Sequence, residues 1–135
     1  QAVVLLHMMD AVKAATKRRQ EIADRLDAGL RDVPGVIVPP RDPRRQSSWR
    51  LYQAQFEERE TFLDHLGRCG IEGLIHYPTP LHLQAPGRAL GYGVGDFPVA
   101  EAQAKRVVSL PNHEWLTDDQ VDYTVEQVRG FYDPA

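Results

Sequence analysis

Cysteine is nearly absent from this chain: Cys69 is the only one in 135 residues. No intrachain disulfide can form, which fits a reducing, cytoplasmic setting. Arg68 and Gly70 beside it offer nothing to activate a thiol, so Cys69 reads as inert. Lysine is scarce too, with only Lys13, Lys17 and Lys105. There is no glycine-rich phosphate loop, and no signal-peptide pattern is visible. No apolar run is long enough to span a bilayer, so no membrane partner is expected. Charge of one sign is also missing. A net charge of −3 argues against general nucleic-acid binding. The basic cluster from Arg41 to Arg45 is interrupted by Asp42 and reads as a solvated loop.

What is present can support one core, since 42% of the residues are apolar. Residues 2–31 read as a single helix. Val4, Met8, Val12, Ala15, Ile22, Leu26 and Leu30 recur close to a 3.6-residue period. Such a helix is about 45 Å long, more than a domain of this size covers. Its first part is the more apolar, with Leu5-Leu6 and Met8-Met9, and is expected to pack on a neighbouring domain or subunit. The pattern starts without a cap, so a preceding segment is expected. Val33-Pro34-Gly35 ends the helix.

Strands are expected at Val36–Val38, Ser48–Phe56, Glu72–Tyr77 and Val107–Leu110. Glu57–Cys69 reads as a helix with Phe62, Leu63 and Leu66 buried and Gly70 as its left-handed cap. Pro98 opens another, to about Lys105. Thr117-Asp118-Asp119-Gln120 is a capping box for the last helix, with Leu116 and Val121 as its staple. Val121, Val125, Val128 and Tyr132 line one face of that helix. The order α-β-β-α-β-loop-α-β-α reads as a small α+β sandwich.

The chemistry-bearing residues concentrate in His76-Tyr77-Pro78-Thr79-Pro80-Leu81-His82-Leu83-Gln84. This stretch leaves a strand and opens a proline- and glycine-rich loop over residues 78–98. Loops of that length usually carry function or are disordered. His76 and Tyr77 at the strand end, and His82 and Gln84 in the loop, offer donors and acceptors for hydroxyls or phosphates. The competing reading makes the His and Tyr satisfied packing residues. His7, His65 and His113 read as surface or interface residues, and Trp49 and Trp115 as core or partner-facing. A metal set of His76, His82 and Asp96 fits no standard zinc spacing.

Several segments together resemble the C-terminal part of the DegT/DnrJ/StrS-type sugar aminotransferases. Arg18-Arg19-Gln20-Glu21-Ile22-Ala23 resembles that family's arginine-rich linking helix. Ser48-Trp49-Arg50-Leu51-Tyr52 resembles its Ser-aromatic-His-Leu-Tyr strand, and the His76-to-Gln84 stretch its loop. Leu90-Gly91-Tyr92, Gly95-to-Glu101 and Ser109-Leu110-Pro111 with Leu116-Thr117 follow in the family's order. The family commonly has histidine where Arg50 stands. A permanent charge there would favour an anionic substrate or simply face water.

The resemblance implies a fold. It is the small C-terminal domain of an aspartate-aminotransferase-like enzyme, with a short, mostly antiparallel sheet covered by helices. Residues 1–31 would be the linking helix and 32–135 the α+β body. It implies pyridoxal phosphate as cofactor of the intact enzyme. The cofactor-bearing lysine would lie in a large N-terminal domain that these residues do not include. Lys13, Lys17 and Lys105 sit among charged or polar residues, whereas a Schiff-base lysine needs a desolvated pocket. No cofactor is therefore expected on this chain alone, nor transamination by it. Its implied share is one wall of a nucleotide-sugar (or aminocyclitol) pocket, built from His76, Tyr77, His82, Gln84 and Arg50, and part of a homo-oligomer interface. The alternative is a stand-alone binding or assembly module with the same fold and no catalysis.

Overall fold

A computed structural model describes residues 2–133. Helix α1 spans Ala2–Leu30, followed by strands β1 (Val36–Ile37) and β2 (Tyr52–Phe56) and helix α2 (Arg59–Arg68). A single 3-10 turn (Leu81–Leu83) and helix α3 (Ala85–Ala89) lie in the long loop. Helix α4 (Pro98–Arg106), strand β3 (Val107–Leu110) and helix α5 (Asp118–Tyr132) complete the chain. The sheet is antiparallel in the order β1-β2-β3, with Gln53 opposite Ser109 and Gln55 opposite Val107.

Alternation along β2 decides which face is the core. Tyr52, Ala54 and Phe56 are buried, and Val108 and Leu110 of β3 join them. The second half of α1, with α2 and α5, covers this face through Ile22, Leu26, Leu30, Phe62, Val121 and Val128. Phe56 stacks on Phe62 with centroids 4.5 Å apart. Helix α1 is tied to α5 at its polar margin. Arg18 donates to the Leu116 carbonyl and to Asp118, both at 2.7 Å. Arg25 forks onto Asp122, and Arg129 onto Asp32.

The capping box forms as expected: Gln120 N–H donates to Thr117 Oγ1 at 3.3 Å, and Thr117 N–H to Gln120 Oε1 at 3.0 Å. Gly70 adopts the left-handed conformation, φ +71°.

Four expectations need correction. The strand expected from Ser48 starts only at Tyr52, because Trp49 turns into the left-handed region at φ +49°. Its ring lies 3.9 Å under the Arg41 guanidinium, and its carbonyl accepts from Asn112 Nδ2 at 3.0 Å. The Arg41-to-Arg45 loop is therefore not simply solvated. Arg41 also pairs with Asp27, a carboxylate only 3% exposed that accepts from the Tyr52 hydroxyl at 2.7 Å. The strand expected over Glu72–Tyr77 is reduced to one bridge, Leu74 to Ser109, and Leu74 is half-exposed. The helix expected from Glu57 begins at Arg59, because Glu58 is left-handed at φ +48°. The side chain of His7 lies outside the described residues.

Candidate functional site

The sheet face opposite the core carries Gln53 and Gln55 from β2, with Ser109 and Val107 facing them on β3. The segment after α2 runs antiparallel to the free edge of β3. Leu74 and Ser109 exchange backbone hydrogen bonds there at 3.1 and 2.7 Å. Two residues further on, alternation puts His76 on the same face as Ser109. The long loop then folds back over this face, and α4 forms the opposite wall. A cavity of about 720 Å³ is left between them. Its floor includes Gln53, Val107 and His76, and its walls include His82, Phe97 and Ala104.

His76 is the best-anchored polar group in the cavity. Its Nδ1 lies 2.9 Å from Ser109 Oγ, and its carbonyl accepts from Gln53 Nε2 at 2.6 Å. Tyr77 stands edge-on to the His76 ring and is exposed at the rim. His82 is buried at 8% exposure and leans on Phe97, centroids 4.8 Å apart. Its Nε2 lies 3.0 Å from Glu101 Oε1, and the same oxygen accepts from Gly95 N–H at 2.8 Å. Glu101 thus ties both ends of the loop to α4. The Gly95 N–H first, and His82 second, hold its carboxyl below the usual range. Gln84 donates to the Thr79 carbonyl at 3.0 Å. Gly87 lets α3 sit on the turn before it: a Cβ there would meet the His82 backbone at 2.6 Å.

Four of the five expected site residues, His76, Tyr77, His82 and Gln84, therefore line one cavity. Arg50 does not. It is exposed and borders a separate cleft of about 600 Å³ beside His113 and Asn112. Sequence reading did not single out Gln53, Ser109, Phe97 or Glu101. The available signal was the Tyr-Gln-Ala-Gln-Phe alternation of β2, which puts two glutamines on the face away from the core. Trp49 packs against the core, and Trp115 is exposed. His65 binds the Gln127 carbonyl at 3.1 Å.

The lysines lie away from this chemistry. Lys13 and Lys17 are exposed on α1, 3.9 and 4.0 Å from Asp10 and Glu21. Lys105 is exposed on α4, and none of the three lines the cavity. Among the described residues, no group of three or more His, Cys, Asp or Glu is placed to hold a metal. His76 and His82 turn to separate partners, and Asp96 accepts from Gly93 N–H. No helix among the described residues is long and apolar enough to cross a membrane. A mostly apolar cavity with a few fixed polar groups is built to bind and orient a ligand.

Known proteins match this arrangement. The sequence model of the DegT/DnrJ/EryC1/StrS aminotransferase family matches residues 1–129. The erythromycin biosynthesis sensory transduction protein EryC1 of Saccharopolyspora erythraea is 36% identical over 130 residues, 96% of this chain and 36% of its own length. The dTDP-3-amino-3,4,6-trideoxy-alpha-D-glucose transaminase of Streptomyces venezuelae is 32% identical over 129 residues, 96% of this chain and 34% of its own length. Among solved structures, S. venezuelae DesV superposes with a TM-score of 0.94 at 30% identity, over 100% of this chain and 36% of that one. An aminotransferase from Brucella abortus gives 0.88 at 33%, over 98% of this chain and 35% of that one. The chain thus spans about a third of the length of these relatives.

Proposed function

This chain belongs to the DegT/DnrJ/EryC1/StrS aminotransferase family, and from that premise we propose that it is the small C-terminal domain of a nucleotide-sugar (or aminocyclitol) aminotransferase dependent on pyridoxal phosphate. Its part is one wall of the sugar pocket. The observation that carries this reading is the single cavity lined by His76, Tyr77, His82 and Gln84 on the outer face of the sheet. Two relatives are named as transaminases of dTDP-linked amino sugars, which supports a nucleotide sugar as the ligand class.

The cofactor, when bound, supplies the amino-group chemistry. The lysines here offer it no Schiff-base amine, so that amine is assigned to a large domain preceding α1. The residues of this chain hold the sugar. His76 presents a ring edge from the floor, and Tyr77 a hydroxyl from the rim. His82, tied to Glu101, keeps the loop closed on α4. Gln84, tied to Thr79, braces the mouth. Helix α1 is the link to the large domain, and its bare apolar half is covered there or at a subunit interface of a cytoplasmic homo-oligomer. Arg50 reaches the ligand only if the second cleft joins the same site.

Calorimetric binding of dTDP-glucose by the intact protein tests the reading. His76→Ala and Tyr77→Ala are each expected to weaken binding about five- to tenfold, the worth of a hydrogen bond or slightly more. Unchanged affinity in both variants would overturn it.

A further inference from the structure

His76 is held from two sides, by Gln53 at its carbonyl and by Ser109 at ring Nδ1. Ser109 is 4% exposed, and its hydroxyl has no other hydrogen-bonding partner among the described residues. A hydroxyl carries one proton, and a neutral imidazole carries one on either nitrogen. Two arrangements are open. If Nδ1–H donated to Ser109 Oγ, the hydroxyl proton would have no acceptor among the described residues. An unmade buried hydrogen bond is costly. If the hydroxyl donates to Nδ1, both groups are satisfied and the ring proton sits on Nε2. That nitrogen is on the other edge of the ring, without a partner among the described residues, and the ring lines the cavity.

We infer that Ser109 is a positioning residue: its hydroxyl fixes His76 as the Nε2–H tautomer, so that His76 offers the cavity a hydrogen-bond donor. Such a donor selects an acceptor oxygen, a keto or diphosphate oxygen of a nucleoside-diphosphate sugar, and not an ammonium group. Only the identity of that occupant rests on the sugar-pocket reading; the tautomer follows from Ser109 alone. Gln53 fixes the backbone on which the ring is carried.

The test is ring-nitrogen NMR of the intact protein labelled with 15N-histidine, at about pH 8, where an ordinary imidazole is neutral. The His76 signals are assigned by their loss in His76→Gln. The expected result is a bare Nδ1 and a protonated Nε2, kept in Ser109→Thr and replaced by a tautomer mixture in Ser109→Ala. Ser109→Ala should also bind dTDP-glucose about five-fold more weakly, with Ser109→Thr restoring the affinity. A proton on Nδ1 in the unaltered protein, or an unchanged tautomer in Ser109→Ala, overturns the inference. If the tautomer is as expected but saturating dTDP-glucose leaves Nε2 unmoved, the Ser109 assignment stands and the sugar-pocket reading fails.

Discussion

Helix α1 has two halves with opposite surroundings. From Arg18 to Leu30 it is built into the fold: Ile22, Ala23, Leu26 and Leu30 are at most 1% exposed, and arginines at its margin pair with carboxylates on α5 and its approach. From Val3 to Val12 it carries as much apolar surface and buries little of it, with Val3 at 79% and Leu6 at 73% exposure. The same secondary structure thus does two jobs. One half is an internal layer of this domain. The other is a contiguous apolar surface of the kind that marks an interaction site. The cavity shows a similar contrast: its floor and its two walls, the loop and α4, are built from this chain, and Tyr77 stands exposed at its rim.

Substitutions should separate the halves. Leu26→Ala, in the covered half, is expected to lose about 3 kcal/mol, the usual cost of a buried Leu-to-Ala cavity. The shift of a denaturation midpoint measures it. Asp27→Ala, on the same half, should cost roughly 2 kcal/mol, because it strands the buried Tyr52 hydroxyl and leaves the Arg41 guanidinium only Asp24 as an ion-pair partner. Thr117→Ala removes the cap of α5 and should cost about 1 kcal/mol. A smaller effect comes from acid. Asp122 and Asp32 are held below the usual carboxylate range by hydrogen bonds from Arg25 and Arg129. Glu114 is held there by its own backbone N–H and then by Arg19. Each contributes stability above about pH 4, and that contribution is lost as pH falls through its lowered value. Denaturation midpoints should therefore decline from pH 5 to pH 2, and less steeply in Asp122→Asn. Leu6→Ser, on the bare half, should leave the midpoint within about 0.5 kcal/mol. It should nonetheless loosen assembly of the intact protein in light scattering. A large loss of stability from Leu6→Ser would erase the contrast between the halves.

The sequence foretold what local chemistry decides. The period of α1, the Thr117 capping box, Gly70 beyond α2 and Pro98 opening α4 were all legible because each signal lies within a few residues of its effect. Features set by distant partners were not. Trp49 breaks the expected strand because Arg41 and Asn112 hold it, from 8 residues before and 63 after. Residues 72–77 satisfy the strand pattern, yet β3 offers them only the Ser109 rung. At the site, the His-Tyr-Pro stretch drew attention to a loop that lines the cavity. It could not show that Glu101 would clamp His82, that Ser109 would meet His76, or that Arg50 would turn to another cleft. Those pairings exist only once β3 and α4 are in place.

The most direct measurement is a crystal structure of the intact protein soaked with dTDP-glucose. The expected result is sugar density in the cavity between the sheet and α4, with an acceptor oxygen at His76 Nε2 and a lysine from outside this chain facing it. Sugar bound elsewhere, with the cavity filled by the protein's own side chains, would contradict the assignment.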